Sequence, residues 1–206
     1  MFGSGPALHE HRLTLFTDRF VVKGLHRAPA QRLTDLLNHA ENGQLVLDDA
    51  SFEEFGGHGG ADRAAFAQVN LAAVLFAVSD EPVEPTPEMR LPKVAQQALV
   101  SIPPFRVTGR IHLAAVETLR EALGELHQSF IPISDATYWS EALNEPRTRA
   151  LILAVNHARA QILAPFEERD PWNDARSAAL QIGFGGSRLG PEVPPAAEGP
   201  SERRGG

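Results

Sequence analysis

The sequence predicts an α+β fold, mostly β. It reads as a tandem duplication of a β-β-α-β-β unit, whose copies form either two packed small half-barrels or one pseudo-two-fold sheet. Three observations carry this expectation. Apolar and polar residues alternate over short runs, each copy holds one short stretch of helical period, and the chain resembles itself at a nearly constant offset. Phe20-Val21-Val22-Lys23-Gly24 matches Phe105-Arg106-Val107-Thr108-Gly109 at an offset of 85 residues. After one added residue the offset becomes 86 and holds. Leu33 and Leu37 map onto Leu119 and Leu123, Leu45 and Leu47 onto Ile131 and Ile133, and Asp49-Ala50 onto Asp135-Ala136. Phe52 maps onto Tyr138, Val69-Asn70 onto Val155-Asn156, and Phe76 onto Ile162.

The elements follow in order. Arg12 to Thr17 alternates Leu13 and Leu15 with polar neighbours and reads as a strand. Arg19 to His26 is a second, with Gly24 inside it marking a bulge or bend that recurs at Gly109. Pro29 is placed to open a helix on which Leu33, Leu36, Leu37 and Ala40 recur at helical spacing, and Asn42-Gly43 ends it. Leu45 and Leu47 lie on one face of a third strand, and Phe66 to Val78 is a fourth. Its half Leu71 to Val78 is apolar on both faces, which predicts a central strand or an interface. The second copy reads as strands at Ala98–Ile102 and Phe105–Leu113, a helix near Val116–Leu126, and strands at Ser129–Tyr138 and Ala150–Leu163. The expected organisation is a first repeat over 12–78, an acidic Pro-rich linker over 79–97, a second repeat over 98–164, and a tail over 165–206. The tail reads as a short helix near Trp172–Gln181 and then a Gly- and Pro-rich disordered end.

Composition bounds the function. The chain has 206 residues, 43% of them apolar, enough for a core, and no cysteine. A disulfide framework, a thiolate metal site and a thiol nucleophile are therefore excluded. The longest apolar run, Leu71–Val78, falls far short of the roughly 20 residues of a membrane span. Met1–Arg12 lacks an apolar signal region, so a cytoplasmic protein is expected. A formal charge of −7 opposes polyanions over long range.

Candidate residues carry two readings each. Asp49 and Asp135 recur after alternating strands; they suit a carboxylate pair or a metal, but more simply an Asx-type turn at each strand end. Asn70 and Asn156 sit in apolar runs and need hydrogen-bond partners, in backbone or in a ligand. Gly56-Gly57-His58-Gly59-Gly60 lacks the Gly-Lys-Ser/Thr of a phosphate-binding loop and reads as a hairpin connection. The eight histidines show no metal-ligand spacing, although His112 lies next to the position matching His26. No Gly-x-Ser-x-Gly elbow is present. In Arg32-Leu-Thr-Asp-Leu-Leu-Asn38 the leucines pack the helix, and Arg32, Asp35 and Asn38 share the other face or its edge. That face is a solvated surface or a contact surface for a partner; the second copy has Thr118, Glu121 and Gly124 there.

This stretch, with Leu47-Asp-Asp-Ala50 and Val69-Asn-Leu-Ala-Ala-Val-Leu-Phe76, resembles a group of uncharacterised bacterial proteins of short β-rich domains. The resemblance covers about a third of the chain and implies no reaction, cofactor or catalytic residue. The expectation is a non-catalytic protein-interaction or scaffold module, with a protein partner or self-association through the apolar strand. No catalytic residue, cofactor or metal is expected. The alternative is a small-barrel nucleic-acid binder tracked by Arg12, Arg19, Arg27, Arg32 or Arg106.

Overall fold

The structure is a computed structural model that describes residues 8–56, 60–79, 93–114, 118–124 and 127–166. Gly57-His58-Gly59, most of the expected linker and nearly all of the expected tail, with its short helix, lie outside the described residues. Ten strands form one antiparallel sheet: β1 (Leu8–Thr17), β2 (Phe20–Pro29), β3 (Gln44–Glu54), β4 (Asp62–Asn70), β5 (Val74–Ser79), β6 (Lys93–Ile102), β7 (Phe105–Ala114), β8 (Phe130–Ser140), β9 (Glu145–Asn156) and β10 (Ile162–Pro165). Helices α1 (Leu33–Asn38) and α2 (Leu119–Gly124) follow β2 and β7. The strand order is β10-β6-β7-β8-β9-β5-β1-β2-β3-β4, so β10 and β4 are the two edges and the sheet does not close into a barrel. None of the described helices is long and apolar enough to cross a membrane.

Each half differs from the expected four-strand unit in the same way. The run Phe66–Val78 is broken into β4 and β5 by a 3-10 turn at Leu71–Ala73, and Ala150–Leu163 into β9 and β10 by one at His157–Arg159. The unit is therefore β-β-α-β-β-β. In the first half Asn70 Oδ1 accepts the Ala72 N–H at 3.0 Å and caps the turn; in the second, Asn156 makes no such capping bond. Pro29 does not open α1. It ends β2, opposite Leu8, and α1 is only six residues long. β6 begins at Lys93, five residues before the expected strand, because β7 extends to Ala114 and pairs with all of it.

Two backbone features recur at matched positions. Lys23 pairs with Ser51 and Leu25 with Asp48, leaving Gly24 opposite two residues, Asp49 and Ala50. Thr108 pairs with Thr137 and Arg110 with Ser134, leaving Gly109 opposite Asp135 and Ala136. The extra residue of each bulge is left-handed, Asp49 at φ 47° and Asp135 at φ 49°. A Cβ at Gly24 would lie 2.8 Å from Leu47 Cβ and 2.9 Å from the Asp48 carbonyl oxygen. At Gly109 it would lie 2.5 Å from Ile133 Cγ2 and 2.8 Å from the Ser134 carbonyl oxygen. Glycine is required at both for close approach of the backbone, not for its φ.

The two cores lie on opposite faces of the sheet. Leu13, Leu15, Leu45 and Leu47 gather with Leu33, Leu36 and Leu37 of α1 into the first. Val100, Val107, Ile133 and Leu153 gather with Leu119 of α2 into the second. β5 pairs with β9 where the halves meet: Phe76 lies opposite Val155 on the second core, and Ala77 opposite Ala154 on the first. This explains why Leu71–Val78 is apolar on both faces. It also explains two intrusions. Phe16 of β1 joins the second core, stacked on Phe76 at 4.3 Å between centroids, and Phe130 of β8 joins the first.

Candidate functional site

The residues singled out by sequence fall in separate places. Asp49 and Asp135 sit on different bulges, both exposed, with four strands between β3 and β8, so they do not share a cleft. Asp135 forms an ion pair with Arg110 at 3.1 Å. Neither caps a turn at a strand end; each supplies the left-handed residue of a mid-strand bulge, because a short polar side chain tolerates that backbone better than most. Asn70 and Asn156 do converge, on one turn of backbone. Asn70 caps it, and Asn156 Nδ2 donates to the carbonyl oxygens of Leu71 at 3.3 Å and Val74 at 3.0 Å. Asn156 is buried at 3% exposure and fastens β9 of one half to the turn before β5 of the other.

Arg32, Asp35 and Asn38 are all half-buried rather than a solvated face. Arg32 occupies the N-cap position of α1 without a capping side-chain bond, and the Asp35 carbonyl oxygen accepts the His39 N–H at 3.0 Å. Asn38 is committed inside the molecule. Its Nδ2 donates to the Phe130 carbonyl oxygen and its Oδ1 accepts the Phe130 N–H, both at 2.9 Å. The amide thus mimics a neighbouring strand and locks α1 onto β8. In the second half Thr118 and Glu121 close a capping box instead. The Thr118 N–H donates to Glu121 Oε2 at 2.9 Å, and Glu121 N–H donates back to Thr118 Oγ1 at 3.3 Å. The Thr118 N–H and the Thr118 hydroxyl, which donates to the same Oε2 at 3.0 Å, hold the Glu121 carboxyl below its usual range.

Histidines cluster on β1 and β2. His11 lies opposite His26, and its ring meets that of His9 edge-on at 4.8 Å. Burial lowers the His11 pKa, against a raising contact of its Nε2 with the Pro29 carbonyl oxygen and with smaller lowering contributions from His9 and His26. His112 is not paired with His26; its Nε2 lies 2.6 Å from Ser134 Oγ of β8, within the second half. Among the described residues, no three His, Asp or Glu side chains are placed to hold a metal ion. Of the arginines read as a nucleic-acid track, Arg19 pairs with Glu54, and Arg27 with Glu10 and Asp48, each of the latter at 3.1 Å.

The surface that sequence reasoning missed is the β4 edge. Among the described residues no strand pairs with its outer side. It runs nine residues, with charge only at Asp62 and Arg63 and no proline. Phe66 stands 65% exposed on it, and Val46 is exposed on the neighbouring β3, one residue pair along on the same face. Beyond Val46 and Gln68 a groove of about 460 Å³ continues to α1, lined by His26, Gln31, His39 and Gln44 among others. His26 Nδ1 lies 2.9 Å from the carbonyl oxygen of Val46, and both residues line the groove. The opposite edge is shaped differently: β10 has four residues and ends at Pro165. The one available signal was Phe66 itself, an aromatic at an outward-facing parity between alanines. Neither a family model, nor a curated protein, nor a solved structure matches the chain.

Proposed function

We propose that the chain is a non-catalytic protein-interaction module that takes an extended segment of a partner protein as an eleventh strand along β4. The unblunted β4 edge carries this reading. A long, proline-free edge whose charges are confined to its first two residues is a template for strand pairing, and proteins that do not use such an edge shorten it, charge it or cover it. β10 has been shortened and ended with proline, whereas β4 has not. Main-chain bonds would supply affinity, and Phe66 with Val46 would take an apolar side chain of the partner. We further propose that the halves descend from a tandem duplication. The offset of the sequence match, the paired bulges and the two left-handed aspartates support this.

The small-barrel nucleic-acid reading has less support, since the sheet it would use is open and two of its five arginines, Arg19 and Arg27, are held by carboxylates. The test is selection of extended peptides from a random library on the immobilised full chain, followed by hydrogen exchange. Selected peptides are expected to protect the amides of 62–70, and Phe66→Lys is expected to weaken them at least about tenfold, the value of one desolvated anchor. Protection confined to another strand, or a Phe66→Lys variant that binds like the parent, would overturn it.

A further inference from the structure

A second surface, on the other half and independent of the β4 edge, carries a different chemistry. Arg106 lies opposite Trp139, Arg149 opposite Thr137, and Arg110 opposite Ser134. Val107, Ile133 and Ala136 are buried in the second core, so these alternate neighbours face away from it. Arg147 lays its guanidinium over the Trp139 ring, 4.3 Å from the centroid. Four guanidinium groups thus share one outward face across β7, β8 and β9. Asp135 holds Arg110. Among the described residues no carboxylate pairs with Arg106, Arg147 or Arg149, all three exposed; Glu141 and Glu145 at the β8–β9 turn form no ion pair with them. The face belongs to the second half alone. The matched positions of the first half are Val21, Leu25, Ala61 and Arg63, with Glu53 in place of Trp139.

We propose that this face docks an extended acidic segment of a partner protein, with Arg106, Arg147 and Arg149 each taking a carboxylate. The spacing fits. Alternate residues of a strand lie about 7 Å apart, so carboxylates two residues apart on an extended segment meet Arg147 and Arg149 together. Arg106 stands two strands away, about 10 Å at the backbone, within reach of a third carboxylate on the same segment. Guanidinium groups bind carboxylates with two parallel hydrogen bonds, and Thr108 and Thr137 between them supply hydroxyls. A single-stranded nucleic acid fits less well. It needs an open ring for base stacking, whereas Trp139 is only 8% exposed beneath Arg147, and the chain's net charge of −7 opposes a long polyanion.

The test uses the full chain and a labelled ten-residue peptide of alternating Glu and Thr, followed by fluorescence anisotropy at low salt. Binding is expected to weaken as salt is raised. The pair Arg147→Gln with Arg149→Gln should lower affinity about tenfold or more, and Arg106→Gln about threefold to tenfold. Arg12→Gln, an exposed arginine on β1, should leave it unchanged. Equal loss from Arg12→Gln would reduce the effect to net charge and overturn the site. Tighter binding of a ten-residue oligothymidylate would overturn the choice of a protein segment. Binding seen only after Glu81→Gln, Glu84→Gln and Glu88→Gln would overturn an external partner in favour of the chain's own acidic stretch. No binding by either form would overturn the proposal outright.

Discussion

The junction between the halves and the two free ends of the sheet are built from matched positions, yet they carry opposite chemistry. At the junction, Phe16, Val21, Phe55, Leu75 and Phe76 reach from the first half to the second core, and Phe130 and Ala154 reach from the second half into the first. The positions that match the first five are Ser101, Arg106, Glu141, Gln161 and Ile162, and those that match the last two are Gln44 and Gln68. Val78 also packs on the second core, and its match is Ala164; six of these eight matched positions are polar or charged. One backbone unit therefore serves as an inner or an outer segment according to which of its back-face residues are apolar. The sheet's two free ends thus lack most of the apolar back face that joins the halves. The strand proposed along the β4 edge would need only backbone pairing and an anchor at Phe66, whereas a second copy joined as the halves are joined would need those apolar residues.

The strongest way to break the comparison is to mutate matched positions in pairs. Phe76 is fully buried between Phe16, Phe105 and Tyr138, with ring centroids 4.3 to 5.2 Å away. Phe76→Ala should cost about 3–5 kcal/mol by denaturant unfolding, through lost burial and the cavity left behind. Ile162→Ala, at the matched but exposed position on β10, should cost under about 0.5 kcal/mol. Similar losses at both would mean that the ends are as buried as the junction. The glycines test where the halves agree. Gly24→Ala and Gly109→Ala should each cost about 1–3 kcal/mol, as overpacked sites do. Gly109→Ala should be the worse, since its closest contact is 2.5 Å rather than 2.8 Å. A neutral result at either would show that its bulge opens without strain.

A smaller asymmetry lies at the helices. Asn38→Ala removes both bonds to Phe130 and leaves a backbone N–H and carbonyl without their partner in a partly buried place, at a cost of about 1–2 kcal/mol. The matched residue, Gly124, is exposed with nothing within 4 Å of an added Cβ, so Gly124→Ala should be neutral or gain a few tenths of a kcal/mol by helix propensity. Thermal unfolding of the two single variants and Asn38→Asp, which keeps only the acceptor, would show whether both bonds contribute.

Much of this architecture was legible because local pattern and global role coincide. Leu71–Val78 reads as doubly buried, and β5 is at the centre of the sheet. Gly24 and Gly109 read as bends, and both face bulges. What escaped depends on distant neighbours. The break after Asn70 lies in an unbroken apolar run, and only the side-chain cap on Ala72 reveals it. Asn38 looks like surface until Phe130, 92 residues on, supplies its partner. The arginine face draws residues from 106 to 149, and period-2 alternation places each on a face without saying which strands adjoin. For the same reason the β4 edge was invisible: a strand pattern does not state whether a neighbour exists.

The smallest expected effect concerns His11, whose counterpart by offset is Gln96, so the second half offers a non-titrating control. Burial lowers the His11 pKa below its ordinary 6.5, with His9 and His26 adding to the lowering and the Pro29 carbonyl opposing it. The unfolded chain then binds more protons than the folded one between the ordinary value and the lowered one. Stability therefore rises with pH through that window, and it is lost as pH falls from above 6.5 toward the folded-state value. Glu10 and Arg27 flank this region as an exposed ion pair. His11→Gln should flatten the dependence of the melting temperature on pH between about 7.5 and 5, by the linkage just given. His26→Gln, on the more open neighbouring position, should flatten it less. A parent protein whose stability does not fall on acidification through this range would show that His11 is solvated when charged, and that β1 and β2 separate at their outer end to allow it.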